Sequence, residues 1–238
     1  MIVGARRGHP KRIGRMLMLE LWLGAAVSLH AYASIQDSAL AARQSTVEWE
    51  LGVLNESDSG SLTKAGSPQT IDCPYGRAVC FDGVGDALFL DANPLRNLRQ
   101  FTVEVLLRPD PKGPPEQRFL HMGEMSGDRM MLETRMTDDD QWYLDAHIRS
   151  GDSAKTLIDR QMTHQTGVWH HIALVVDSGR MDTYVDGKHE LEGNVRFSPF
   201  RGGKTSIGAR RNRVYWFKGA ICKIRITPKC LNPSDFAR

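Results

Sequence analysis

The stretch Trp169-His170-His171-Ile172-Ala173-Leu174-Val175-Val176, followed by Asp177-Ser178-Gly179-Arg180, Met181-Asp182-Thr183-Tyr184-Val185 and Asp186-Gly187-Lys188, decides the fold. An aliphatic run ends at a four-residue turn, and a second run alternates apolar with polar side chains. Asp186-Gly187 then supplies the pair that accepts positive φ in a type I′ hairpin. Two antiparallel strands and the start of a third are expected. Outward from this hairpin, runs of the same kind recur between turn residues: Ala78 to Phe81, Ala87 to Leu90, Phe101 to Leu107, Arg118 to Met122, Met130 to Met136, Trp142 to Ile148, Thr205 to Gly208, Val214 to Phe217 and Ala220 to Ile226. Short strands rich in Val, Ile, Phe, Tyr and Trp, with nothing helical of useful length, indicate an all-β antiparallel sandwich or barrel. The four prolines of Pro109 to Pro115 cannot donate to a sheet ladder and mark a surface loop. Ser34 to Thr70 is polar and turn-rich, with one strand candidate at Val47 to Val53.

The 238 residues are 41% hydrophobic and 25% charged, the composition of a globular domain. Lys and Arg total 31 against 28 Asp and Glu, but the excess is local. Residues 1–33 hold Arg6, Arg7, Lys11, Arg12 and Arg15 against Glu20 alone, which leaves the remainder slightly acidic and argues against a nucleic-acid partner. A basic stretch (Ala5 to Arg15), an apolar one (Met16 to Leu29) and the small residues of Ala31-Tyr32-Ala33 are ordered as in a secretory signal peptide. The apolar run falls short of the roughly twenty residues of a bilayer span, and Glu20 inside it is costly in lipid. The expectation is cleavage after Ala33, export to a secreted or periplasmic location and no membrane span thereafter. A flexible segment at 34–46 and one domain over 47–238 would follow.

Cys73, Cys80, Cys222 and Cys230 form an even set, spaced unlike zinc ligands and suited to disulfides in an oxidising compartment. Four cysteines allow three pairings, and spacing does not choose among them.

Four motifs in order, Phe81-Asp82-Gly83-Val84-Gly85-Asp86, Trp169 to Val176, Tyr184-Val185-Asp186-Gly187-Lys188 and Gly219-Ala220-Ile221-Cys222-Lys223-Ile224-Arg225-Ile226, resemble the laminin-G-like jelly roll of the concanavalin A-like lectin/glucanase superfamily. The resemblance spans Val47 to Leu231 and implies a two-sheet jelly-roll sandwich. Because the superfamily houses lectins, adhesion modules, hydrolases and lyases, it does not by itself fix the activity. Where relatives hold calcium, the hard cation takes acidic oxygens from the first turn and the last strand. Asp82 and Asp86 match the turn, whereas Cys222 and Lys223 stand where the acidic pair of the last strand would be. A Cys80–Cys222 crosslink between the terminal strands would take over the stapling.

Residues two apart on a strand share a face. With Phe101, Val103, Val105 and Leu107 in the core, Glu104 faces out; with Met130, Leu132, Thr134 and Met136 inward, Glu133 and Arg135 face out. With Trp142, Leu144, Ala146 and Ile148 inward, Tyr143, Asp145, His147 and Arg149 face out. If the three strands are neighbours on the concave sheet, Glu104, Glu133, Arg135, Tyr143, Asp145 and His147 line a groove for a polysaccharide, or serve as cross-strand charge pairs on a solvated surface. The Glu-x-Asp-x-x-Glu strand of laminarinase-type relatives is absent. Arg135, Tyr143 and His147 are the residue types of a polysaccharide lyase, without its strand motifs. Tyr215-Trp216 beside Arg210, Arg211 and Arg213 offers a ring for stacking on a sugar and guanidinium groups for a carboxylate or sulfate. His170-His171 reads as structural. The expected function is a secreted, non-catalytic module for carbohydrate or a cell-surface protein, with a glycan-active lyase or hydrolase on the polar face as the alternative.

Overall fold

The computed structural model describes Met1, Gly4 and residues 45–55, 60–177 and 179–237. The cleavage point at Ala33 and nearly all of the leader lie outside the described residues. Residues 44–238 form a compact unit of their own. In chain order its strands are β1 (Val47–Glu50), β2 (Leu62–Ala65), β3 (Gln69–Cys73), β4 (Gly76–Asp82), β5 (Ala87–Leu90), β6 (Phe101–Pro109), β7 (Glu116–Gly123) and β8 (Arg129–Met136). They continue with β9 (Gln141–Ser150), β10 (Ser153–Ile158), β11 (His164–Gln165), β12 (His170–Val176), β13 (Arg180–Val185), β14 (Lys188–Asn194), β15 (Lys204–Ile207) and β16 (Lys218–Thr227).

The described strands form two antiparallel sheets. The first runs β14-β13-β12-β6-β16-β4-β3, with β1 also against β16. The second runs β10-β9-β8-β7-β15-β5-β2, with the short β11 against β9. This is the jelly-roll sandwich that the alternating runs imply. The expected alternation holds: Phe101, Val103, Val105 and Leu107 of β6 are buried together with Met130 and Leu132 of β8 and Trp142, Leu144, Ala146 and Ile148 of β9. Each of the Val, Leu, Ile, Phe and Met side chains among them stabilises the sandwich by roughly 1.5–3 kcal/mol through removal from water. Phe217 bridges Phe81 of the first sheet and Phe119 of the second, at ring separations of 6.2 and 6.0 Å. Gly208 ends the second-sheet strand here with φ +86°, where a Cβ would run into the Phe81 ring.

Asp186 and Gly187 take φ of 52° and 77°, as a type I′ hairpin requires, and join β13 to β14. Asp177 and Arg180 exchange backbone hydrogen bonds across the preceding turn. Two expectations are corrected. Val214 to Phe217 is not a strand; Arg210 and Val214 form an isolated bridge that closes a tight loop between β15 and β16. Val47 to Val53 is a four-residue strand followed by a 3-10 turn over Leu51–Val53. β3 and β10 were not anticipated, and β14 only by the Asp186-Gly187 turn before it, because they are largely exposed edge elements without an apolar period.

Candidate functional site

The outer face of the second sheet is a ladder of polar rows set by strand register. Glu116, Arg135 and Tyr143 form one row, and Arg118, Glu133 and Asp145 the next. His121, Met131, His147 and Thr156 form the third, and Arg129 opposite Arg149 the fourth. Alternation therefore placed Glu133, Arg135, Tyr143, Asp145 and His147 together correctly.

Glu104 does not join them. Its strand β6 pairs with β12 and β16, so its outward side chain lies on the opposite face of the sandwich. There the Ala237 N–H donates to Glu104 Oε1 at 2.7 Å, His171 Nε2 is 3.2 Å from the same oxygen, and Arg225 lies 3.9 Å from Oε2. Glu104 borders a cavity of about 190 Å³ with Tyr75, His171, Lys223 and Arg225.

In the carboxylate rows, Arg135 donates to Asp145 Oδ2 from Nε (2.9 Å) and Nη2 (2.7 Å). It also ion-pairs with Glu116 at 2.6 Å and Glu133 at 3.1 Å. Arg118 pairs with Glu133 at 2.8 Å and Glu116 at 3.4 Å. Burial, then the neighbouring Asp145, pushes Glu133 up to about 7 against the pull of both arginines. Burial likewise raises Asp145 despite Arg135. Two cations thus hold three carboxyl groups, of which Glu133 and Asp145 are almost wholly buried.

Two residues that strand alternation misses complete this end of the face. Arg118, 9% exposed, lies with its guanidinium 3.6 Å from the centre of the Tyr215 ring, and its backbone N–H donates to the Tyr215 carbonyl at 2.9 Å. Tyr215 itself is 42% exposed and held at φ 60°. That backbone region costs a non-glycine residue of order 1 kcal/mol or more and persists where surroundings enforce it. The partner Trp216 is half-buried against Ala65, Ala87 and Ala209, so only the tyrosine of the pair is presented.

The histidine row carries no charge at neutral pH. Burial, then Arg129, Arg118, Arg149 and Arg210, pulls His147 down to about 4. Burial, with Arg210, Arg129 and Arg211 adding to it, does the same to His121. His147 Nδ1 meets Thr156 Oγ1 at 2.9 Å, and His121 Nε2 meets the Glu124 carbonyl at 3.2 Å.

The other sequence candidates are structural or are re-paired. Asp82 Oδ1 accepts the N–H groups of Val84, Gly85 and Asp86 at 2.8–3.0 Å. Asp86 accepts from Ser67 at 2.7 Å and Asp82 at 3.2 Å. Both carboxylates cap turns, and strand register sets Lys218 opposite Asp82, while Cys222 lies near the Tyr75 and Arg77 carbonyls at the other end of β4, so the turn and last-strand positions of the expected calcium site are not brought together. Asp182, His189 and Glu192 also converge among the described residues, but Arg180 already binds both carboxylates. No two of the four cysteines are bonded to each other in this structure. Cys222, at a register shift in β16, has Cys73 and not Cys80 beside it, with sulfurs 3.4 Å apart. His170, buried between Asp186 Oδ2 (2.8 Å) and the Gln165 carbonyl (2.9 Å), is the structural histidine its place implied.

Taken with the fold, these features define a β-sandwich that presents a polar sheet face ringed by aromatic and basic loop residues. The chain belongs to the concanavalin A-like lectin/glucanase superfamily, whose laminin G model matches residues 82–237. Among solved structures it is similar to domain 4 of AbnA, a GH43 extracellular arabinanase from Geobacillus stearothermophilus, in complex with arabinotriose. The TM-score is 0.61 at 18% identity, over 80% of this chain and 94% of that one. It is also similar to the binding domain of botulinum neurotoxin DC in complex with SialylT, with TM-score 0.52 and 12% identity over 74% of this chain and 44% of that one. Tailspike protein 2 of the Escherichia coli O157:H7 bacteriophage CAB120 gives TM-score 0.53 and 16% identity over 73% of this chain and 27% of that one. At these identities the likeness is one of fold. No curated protein matches the chain in sequence.

Proposed function

We propose that this protein is a non-catalytic carbohydrate-binding module that receives a glycan along the outer face of the second sheet. The observation that carries this reading is Tyr215: a ring 42% exposed, backed by the Arg118 guanidinium at 3.6 Å and held in a positive-φ loop conformation beside a face of ordered polar groups. A rigid aromatic ring with one side fixed and the other wet suits stacking on the apolar face of a sugar. Tyr143, His147 and Thr156 offer hydroxyl and imidazole groups for sugar hydroxyls. Fold neighbours whose structures contain arabinotriose or SialylT support the same class of ligand.

Two facts weigh against catalysis on this face. Glu133, which burial and Asp145 raise to about 7, is 1% exposed and clamped by Arg118 and Arg135, so it does not reach a glycosidic oxygen. His147, which holds a proton only below about pH 4, is a weak base for removing a sugar C–H proton at pH 7. A screen of the protein against a glycan array, with parallel detection of reducing ends and unsaturated products, tests the reading. Binding without product is expected. Turnover that disappears on His147→Ala or Tyr143→Phe would replace it with the enzyme reading.

A further inference from the structure

The fourth row of the same face is electrostatically unfinished. Arg129 and Arg149 stand directly opposite one another on β8 and β9, an arrangement of like charges that destabilises a sheet. Arg210 reaches the same place from the loop after β15, donating from Nη2 to the Met125 carbonyl at 3.1 Å, while Arg129 Nη1 donates to the Gly127 carbonyl at 2.8 Å. The Nε groups of Arg129 and Arg210 are buried and have no acceptor. His121, wholly buried in the adjoining row, leaves Nδ1 without a partner, and His147 leaves Nε2 so.

Elsewhere on this face every arginine is answered. Arg118 and Arg135 share Glu116, Glu133 and Asp145. No carboxylate among the described residues lies within ion-pair distance of Arg129, Arg149 or Arg210. Asp128, the nearest acid in sequence, spends Oδ1 on the Gly151 N–H at 2.6 Å. The mutual repulsion is felt, since burial and then Arg210 and Arg149 pull Arg129 below its usual value. This face neutralises its guanidinium groups with carboxylates at one end and, at the other, gathers guanidinium groups whose donors are available to an anion.

We infer that Arg129, Arg149 and Arg210 form an anion subsite that takes an oxyanion substituent, sulfate or carboxylate, of an acidic glycan. The inference rests on the glycan-binding reading and specifies the ligand class within it. Guanidinium forks match both oxyanions bidentately, through charge-assisted hydrogen bonds about twice as strong as neutral ones. His147 fits this row because, kept neutral, it adds no charge to the repulsion among the guanidinium groups, and with Nδ1 accepting from the Thr156 hydroxyl it keeps its N–H on Nε2; the N–H of neutral His121 is spent on the Glu124 carbonyl.

The test uses binding isotherms at fixed ionic strength with matched polymers: dextran beside dextran sulfate, and cello-oligosaccharides beside their carboxymethylated forms. Inorganic sulfate serves as competitor. Wild type is compared with Arg149→Ala, Arg149→Lys and Arg160→Ala; Arg149 and Arg160 are exposed, so these variants are expected to fold, with circular dichroism as the check. The charged form of a backbone should bind more tightly than its neutral form. Arg149→Ala should lose about tenfold or more in Kd for the charged form only, Arg149→Lys should regain part of it, and Arg160→Ala should behave as wild type. The polymer pair that shows the Arg149 dependence distinguishes sulfate from carboxylate, and competition by inorganic sulfate marks the oxyanion itself as the recognised group.

Equal loss in Arg160→Ala, which would mean diffuse charge attraction, overturns the inference. So does wild-type affinity in Arg149→Ala. If neutral glycans bind and charge adds nothing, the anion subsite fails while the glycan reading stands. If folded protein binds no polymer of either kind, both fail.

Discussion

Tyr215 and the Arg118 beneath it show how a single exposed ring can be fixed without being buried. The guanidinium contact at 3.6 Å covers one side of the ring, and the carboxylates of the same row keep the guanidinium in place. His121 poses the opposite case, a wholly buried imidazole held neutral. Its value of about 4 when folded, against 6.5 when unfolded, means that the unfolded chain binds more protons between those pH values. The stability it contributes is present above pH 6.5 and is lost as pH falls toward 4. Denaturant unfolding at pH 7 and pH 4.5 should therefore show a smaller acid loss in His121→Gln than in wild type, by roughly 2–3 kcal/mol. Glu133 acts with the opposite sign, since its raised value favours the folded state at lower pH, so the difference between variant and wild type is the quantity to read. Equal acid losses in the two proteins would contradict the assignment. Residues of this kind were partly legible in the sequence. Period-two alternation put Glu133, Arg135, Tyr143, Asp145 and His147 on one face, while Arg118 was hidden because a register shift between Arg118 and Leu120 interrupts the count in β7.

At the scale of elements, β16 carries the most consequence. It pairs with β6, β4 and β1, and the shift between Ile221 and Lys223 leaves Cys222 facing the β3–β4 turn that carries Cys73. Burial and the nearby Cys73 push Cys222 up to about 12, so the pair is a slow dithiol at neutral pH. We predict that oxidised glutathione, accepting two electrons and two protons by thiol exchange, converts Cys73 and Cys222 into a disulfide and leaves Cys80 and Cys230 free. With the two cysteines 149 positions apart, the chain-entropy model gives a stabilisation of roughly 5 kcal/mol. Non-reducing peptide mapping that finds Cys80 bonded to Cys222 would contradict this. The error in placing Glu104 also belongs to this scale. Alternation tells which side of a strand meets the core but not which sheet the strand enters, and β6 enters the sheet opposite β7, β8 and β9. Edge strands such as β10 were illegible because their exposure erases the apolar period.

For the whole molecule, superfamily membership fixes the sandwich, and the face fixes what it can hold. No helix of the described residues is long and apolar enough to cross a membrane. The basic, apolar and small-residue order of residues 1–33 supports the proposal that the protein is exported. Intact mass of the protein from its native host should show a chain beginning at Ser34; a soluble chain that retains the leader would contradict that proposal. Nearly all the strands around the site were legible because they are buried and periodic, whereas Val214 to Phe217, which supplies Tyr215, was misread as a strand although it closes a loop. The central claim, that this face with Tyr215 at its edge receives a glycan, is tested most directly by calorimetric titration of wild type and Tyr215→Ala with the tightest ligand from the glycan array. The account predicts a loss of about tenfold or more in Kd, with unchanged unfolding midpoint. Wild-type affinity in a folded Tyr215→Ala protein would contradict it.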